Sequence, residues 1–384
     1  MTFLRRYSVF VLIFSAVLLT ALGLVMLFST GAFARDSHGD MYYFVKRQVM
    51  WLGVGGVVCA AAASMDYTVW RRFWWVWLLA AVVVLACCFV PGIGMRVNGS
   101  NRWVRVGPAA FQASEIAKFA AILFLAWYYE KTERDASHFF KGIILPLAVL
   151  AVPLALIALE SDLGTTALIL GVSLSIMFVA GLGWHWLVPF GIAGVGAVLY
   201  MATHVEERMG RLLAFIHPEK YKLTDGLQQW QALIAFGSGG FEGLGLGEGR
   251  QKMLYLPYAH TDFIFPMVGE ELGLRFTLIT VFFYLLIALS GALIAMNARD
   301  RFGMFLGVGA VMTLTLQAIV NIGVTTSLLP NKGMPLPFIS YGGSNLLMCL
   351  FMIGLLVSIH RHGRPVSVPI ARFTMARQPA RIRS

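Results

Sequence analysis

Apolar residues in this chain gather in long unbroken runs rather than in the alternating or three-and-four spacing of soluble elements. Ten runs come close to the roughly 20 mostly apolar residues that a membrane-crossing helix needs. They lie at 8–29, 48–64, 73–90, 112–129, 143–159, 163–181, 186–203, 264–295, 304–327 and 341–360. The pattern predicts an all-α, polytopic membrane protein with ten transmembrane helices in one membrane domain, 1–360. Ala32-Phe33-Ala34 after the first run is similar to a signal-peptidase site. The run before it is too long for a secretory signal core, so it reads as a retained first span.

Ten spans put both termini on one side. With the termini inside, inner segments hold fifteen Lys and Arg, against seven in the short outer loops. Cytoplasmic short loops are enriched in these residues, so both termini are expected in the cytoplasm. The largest connector, 202–263 between the seventh and eighth spans, then lies outside. It is too short for an independent domain and too long for a plain link, which marks it as functional. Its first part, Glu206–Phe215, sets Leu212, Leu213, Phe215 and the following Ile216 among Arg208 and Arg211, as in an interfacial amphipathic helix. Residues 361–384 carry six arginines and no acid, a pattern that predicts a disordered tail touching anionic headgroups.

Composition narrows the classes. The chain of 384 residues is 58% hydrophobic and 13% charged, with a mean hydropathy of +0.75. Soluble domains are about 25% charged, so a soluble enzyme is excluded, and so is a disordered chain. The net charge of +11 does not indicate a nucleic-acid partner, because the basic residues sit in short loops and the tail. Cys59, Cys87, Cys88 and Cys349 all lie in apolar runs, which argues against a disulfide or metal framework.

Ionisable residues within spans are costly and therefore candidates for function. Glu115 and Lys118, three apart, share a helix face at about 5 and 9 Å below the outer end of the fourth span. Two readings stand: a structural bridge with the lysine reaching outward, or the lining of a substrate cavity. Asp162 is either a helix cap or a site residue. Glu271 and Arg275 have the spacing of a structural ion pair, while Glu270 has no local partner. Thr313, Gln317, Asn321 and Thr325 form a polar stripe that fits interhelical bonding or a groove. The run Gly243-Leu244-Gly245-Leu246-Gly247-Glu248-Gly249 fails the dinucleotide spacing and reads as a flexible loop that approaches a ligand. Most of these charges fall towards the outer half, whereas a transporter centres its site near the midplane.

Four stretches then carry a resemblance. They are Asn98-Gly99 to Arg102-Trp103 leading into Gln112-Ala113-Ser114-Glu115-Ile116-Ala117-Lys118; Asp162-Leu163-Gly164-Thr165; 231–273, with Gly237-Ser238-Gly239-Gly240, His260-Thr261-Asp262-Phe263 and Gly269-Glu270-Glu271-Leu272-Gly273; and 330–343, ending Ser340-Tyr341-Gly342-Gly343. In this order, over most of the chain, they resemble the shape, elongation, division and sporulation (SEDS) family of glycan polymerases. Ala113 and Ser161 stand where that family usually has proline, and Pro266 where it has a small residue. These departures alter local backbone shape and leave the charged positions intact.

The resemblance implies a peptidoglycan glycosyltransferase that polymerises lipid II, an undecaprenyl-pyrophosphate-linked disaccharide-pentapeptide, with inversion. The family's essential loop aspartate falls on Asp262, its span-four acid and base on Glu115 and Lys118, and its aspartate before Leu-Gly-Thr on Asp162. The chemistry agrees, because a hydroxyl nucleophile needs a positioned base and pyrophosphate leaves readily once cations hold it. Asp262 is then the base rather than a cap for the eighth span. Arg102, Lys118, Arg208, Arg211, Lys252 and Lys332 are candidates for the diphosphate, or else solvated or headgroup charges. Glu270 and Ser340 complete the expected polar network, either as substrate contacts or as structural links. No resident cofactor is implied, and a divalent cation on the pyrophosphate is compatible with the chemistry.

Expected partners are lipid II, a class B penicillin-binding protein transpeptidase, other divisome proteins and membrane lipids, in the cytoplasmic (inner) membrane. Asn331-Lys332-Gly333 is more similar to division-type than to rod-elongation members. Two rivals remain: a lipid II flippase, which needs a polar path through the inner half, and a non-catalytic scaffold, which tolerates loss of Asp262.

Overall fold

Each of the ten apolar runs coincides with helix in the computed structural model, which describes residues 2–31, 40–97, 100–107, 109–132, 138–203, 206–217, 219–253 and 255–363. The helices in chain order are α1 Thr2–Gly31, α2 Tyr43–Ser64, the short α3 Thr68–Arg72, and α4 Trp74–Cys87. After them come α5 Ala113–Lys131, α6 Leu145–Leu159, α7 Leu163–Val179 and α8 Trp184–Thr203. The chain continues with α9 Glu206–Ile216, α10 Leu227–Gly239, α11 Ile264–Met296, α12 Arg301–Thr325 and α13 Gly343–His362. Among the described residues six helices are long and apolar enough to cross a membrane, while α4 and α7 are shorter. Most of the tail, and Ala32-Phe33-Ala34, lie outside the described residues.

The helices sort by how much of their surface is covered. Along α5 nearly every side chain from Ala113 to Tyr129 is buried, apolar and polar alike. It sits in the interior of the bundle, where no face meets lipid or water. At the periphery α1, α4 and α11 turn apolar stripes outward, with Phe10, Phe14, Val17, Trp75, Leu79, Leu278, Phe282 and Leu289 all exposed. Contiguous apolar exposure on this scale is sustained by lipid rather than water. The central α12 packs against α5, α7, α11 and α13, and α13 against α2. Gly23 of α1 lets the backbone of Phe338 and Ile339 pass close by: a Cβ there would stand 2.7 Å from the Ile339 Cα.

One element departs from the all-α expectation. Between α4 and α5 lies a small antiparallel sheet of β1 Gly94–Val97, β2 Ser100–Val106 and β3 Ala109–Gln112, in that order. Met95 pairs with Trp103, and Trp103 in turn with Gln112. The signal was in the sequence, since Asn98-Gly99 is a strong hairpin-turn dipeptide. The strands are too short to stand out against the apolar runs around them. The 202–263 connector is also more ordered than a loop, for it holds α9 and α10. Buried Gln229 of α10 donates from Nε2 to Val324 O (3.1 Å) and Leu329 O (2.8 Å), which fixes this helix to the end of α12.

Candidate active site

The sheet, the segment before α11, the 331–341 segment and the start of α7 meet at one end of the bundle. Asp262 stands in the turns just ahead of α11. It does not cap that helix, because the N-cap position belongs to Phe263, which makes no side-chain cap bond. Among the described residues no hydrogen bond reaches the Asp262 carboxylate, and the residue is partly exposed. Crowding and desolvation push its pKa up to about 6; the charge of Asp162 adds to the rise, and Arg102 opposes it. A carboxylate with no internal partner and a pKa near neutrality is suited to accept a proton.

Asp162 plays the capping part. Its Oδ1 accepts from the Thr165 N–H (3.1 Å), and its Oδ2 from Thr165 Oγ1 (2.9 Å) and from Gln112 Nε2 (3.3 Å). The last bond ties α7 to the end of β3. Lys332 lies close by, since a Cβ added at Gly164 would stand 3.8 Å from both the Lys332 Cβ and Asp162 Oδ1. Ser161, at the first turn of this corner, has φ of 67°. A proline could not adopt that angle, so the departure from the family pattern here is a change of backbone path.

Glu160, which the sequence reading passed over, is buried with neither carboxylate oxygen hydrogen-bonded. Burial pushes its pKa up to about 8; the Cys88 thiol opposes the rise, Asp162 adds to it, and Arg102 opposes it. Burial thus favours the neutral form of the Glu160 carboxyl. An acid beside Asp162 at a span end was the only hint of it.

Below this layer, Lys118 Nζ lies 2.8 Å from Glu115 Oε2, and both are buried. The lysine does not reach outward. It donates to Gln317 Oε1 (3.1 Å), and Gln317 Nε2 donates to Asn345 Oδ1 (2.7 Å) and Pro335 O (2.9 Å). Glu115, Lys118, Gln317 and Cys349 also border a cavity of about 10 Å³, enough for one water at most. The polar stripe of α12 thus splits in use. Gln317 and Asn321 bond across to other segments, while Thr313 and Thr325 bond back to Gly309 O and Asn321 O of their own helix.

The glycine-rich run is tied down by the acids of α11 rather than left as a free loop. It folds over the acid pair of α11, where Gly247 N–H donates to Glu271 Oε2 (2.9 Å) and the Arg250 and Gln251 N–H groups donate to Glu270 Oε1 (2.9 and 3.2 Å). Lys252, also buried, gives its protons to Glu271 Oε1 (2.8 Å), Ser29 Oγ (2.7 Å) and Gly247 O (2.6 Å). Lys252 and Glu270 are therefore both engaged in one buried network with Glu271, Ser29 and the glycine-rich run. The expected Glu271–Arg275 pair does not form, because Gly273 between them has φ of 77° and breaks the helical spacing. Arg275 donates instead to Glu242 O (3.3 Å).

Of the remaining candidates, Ser340 Oγ donates to Thr261 O (2.6 Å) and accepts from the Leu336 N–H (2.8 Å). Arg211 is exposed on α9, and the Arg208 side chain lies outside the described residues. No group of three or more His, Cys, Asp or Glu among the described residues is arranged to hold a metal ion. The arrangement is a single available carboxylate bordered by Arg102, with Lys332 beside Asp162 at the same end. It can take a proton from a neutral nucleophile and stabilise an anionic leaving group.

Comparison with known proteins gives one consistent answer. A model of the FtsW/RodA/SpoVE family, described as cell cycle proteins, matches residues 9–365. A probable peptidoglycan glycosyltransferase FtsW of Geobacter metallireducens is 38% identical over 357 residues, covering 93% of this chain and 95% of that protein. The stage V sporulation protein E of Bacillus subtilis is 35% identical over 355 residues, covering 92% and 97%. Among solved structures, a chain of a peptidoglycan synthase complex that coordinates polymerization and crosslinking superposes with a TM-score of 0.75 at 25% identity, covering 91% of this chain and 96% of that one. The rod shape determining protein RodA of Thermus thermophilus does so with 0.67 at 26% identity, covering 92% and 96%.

Proposed function

The chain belongs to the FtsW/RodA/SpoVE family of cell cycle proteins, and on that premise we propose that it is a multi-pass membrane peptidoglycan glycosyltransferase that polymerises lipid II with Asp262 as general base. Asp262 removes the proton from the acceptor sugar's 4-hydroxyl. The freed oxygen attacks the anomeric carbon of the lipid-linked donor, and the diphosphate departs from the opposite side with inversion. Arg102 and Lys332 stand where they can balance the charge that develops on the leaving group, and Arg208 and Arg211 of α9 guide the headgroup in from the membrane surface. The observation that carries this reading is the Asp262 carboxylate itself: partly exposed, without a hydrogen bond among the described residues and raised in pKa to about 6.

The site lies on the extracytoplasmic side in this reading, with both termini in the cytoplasm and a class B penicillin-binding protein as the crosslinking partner. Asn331-Lys332-Gly333 and the similarity to FtsW proteins favour a role in division. The test compares wild type with Asp262→Asn for glycan ladders from labelled lipid II, in detergent, with the cognate transpeptidase. Ladders from wild type and none from the variant are expected. Normal product from Asp262→Asn would remove the base assignment. Lipid II crossing liposome bilayers without any ladder would point to the flippase.

A further inference from the structure

The last three residues before Phe263 each give their backbone carbonyl to a distant part of the chain. His260 O accepts from the Tyr341 N–H (3.0 Å), Thr261 O from Ser340 Oγ (2.6 Å) and Asp262 O from Asn321 Nδ2 (2.8 Å). Surface loops ordinarily leave such carbonyls to water. Asn321 is buried on α12 and donates from the same nitrogen to Met334 O (2.6 Å), so one amide joins the Asp262 main chain to the 331–341 segment. On the other side Phe263 and Ile264 are fully buried at the start of α11. The main chain of Asp262 is thereby held on both sides, and only its two side-chain torsions remain free.

Gly333 governs what those torsions can do. A methyl placed there would stand 2.5 Å from Asp262 Oδ2, and among the described residues other than its chain neighbours that carboxyl group is all it would meet within 4 Å. Gly333 is exposed, and its backbone is not in the left-handed region. Glycine is therefore not required at this position by the backbone, nor by packing against any other described residue beyond its chain neighbours. The carboxylate alone needs the space.

We propose that Asn321 and Gly333 are positioning residues for the Asp262 base: Asn321 fixes its main chain, and the bare Cα of Gly333 lets Oδ2 reach the exposed surface where the acceptor hydroxyl arrives. This inference rests on the reading of Asp262 as the base. A base displaced by about an ångström loses on the order of 100-fold in rate while leaving substrate binding alone. Such a loss falls on kcat at unchanged KM.

The experiment measures kcat, KM for lipid II, the acid limb of the pH profile and the melting temperature. It uses the full-length protein with its transpeptidase, as wild type, Gly333→Ala, Asn321→Ala and Asp262→Asn. Gly333→Ala is expected to melt with wild type and keep KM within about twofold while kcat falls about 10- to 100-fold, with the acid limb displaced. Asn321→Ala is expected to lower kcat in the same range at unchanged KM. Wild-type kcat in Gly333→Ala, or a loss that comes with a lowered melting temperature and an unmoved acid limb, would overturn the proposal. Full activity in Asp262→Asn would instead strike the base reading on which it rests.

Discussion

At the residue scale the proposed chemistry rests on one carboxylate, that of Asp262, to which no hydrogen bond is made among the described residues. Asp162, Glu270 and Glu271 all accept bonds from their surroundings, whereas Asp262 accepts none at its side chain among the described residues. Its raised pKa has a definite sign in the rate profile. The base works only when ionised, so kcat/KM is expected to rise with pH through about 6 and to fall off below it. An ordinary aspartate would hold its activity down to about pH 4. An acid limb at that lower value, measured with lipid II well below KM, would show that desolvation does not govern this group. The sequence made Glu115 and Lys118 legible as ionisable groups within an apolar run, Asp162 as an acid at the start of one, and Asp262 only through the resemblance carried by His260-Thr261-Asp262-Phe263. Glu160 was not legible, and Asn321 was legible only as part of a polar stripe and not by its partners, because burial and the direction of a single amide bond arise only when distant segments meet.

At the element scale α11 is two pieces joined at Gly273, and the first piece carries a lid of its own. The glycine-rich strap satisfies Glu270 and Glu271 with backbone N–H groups, and Lys252 closes it against Ser29 of α1. Removing one member of a buried pair leaves the other charge uncompensated, at a cost of about 3–5 kcal/mol. Lys252→Met is therefore expected to lower the melting temperature sharply, and adding Glu271→Gln should recover much of the loss. Thermal unfolding of the two single variants and the double variant checks this, and additive losses would mean that the pair is not coupled. The i,i+4 rule predicted Glu271–Arg275, and it failed because a glycine with positive φ lay between them. The hairpin between α4 and α5 escaped for a different reason: it is short, polar and wedged between two spans.

At the scale of the whole molecule, a largely helical bundle gathers its buried charged side chains, among them Glu115, Lys118, Glu160, Asp162, Lys252, Glu270 and Glu271, towards one end and shows lipid-facing apolar stripes around its flank. The proposed orientation puts that end outside the cytoplasm. Cysteines placed singly at Tyr255 and Ser384, in a background without the four native ones, should differ in reactivity. An impermeant maleimide applied to intact cells with a permeable outer envelope is expected to label Tyr255→Cys and to spare Ser384→Cys. The reverse pattern would invert the topology and remove lipid II polymerisation at the outer face from consideration.

The sequence by itself determined what depends on composition along a contiguous stretch. Runs of apolar residues dictate spanning helices, because a backbone in lipid must satisfy its hydrogen bonds internally. The charged motifs, in their order, dictate the family. Tertiary structure decided everything that depends on two distant segments meeting: that Lys252 closes a strap against Glu271 and Ser29, that Lys118 turns inward to Gln317, and that the Asp262 main chain is held by α12 and the 331–341 segment. Those outcomes follow from the need of every buried polar group for a partner, and a partner found across the bundle leaves no trace in local spacing.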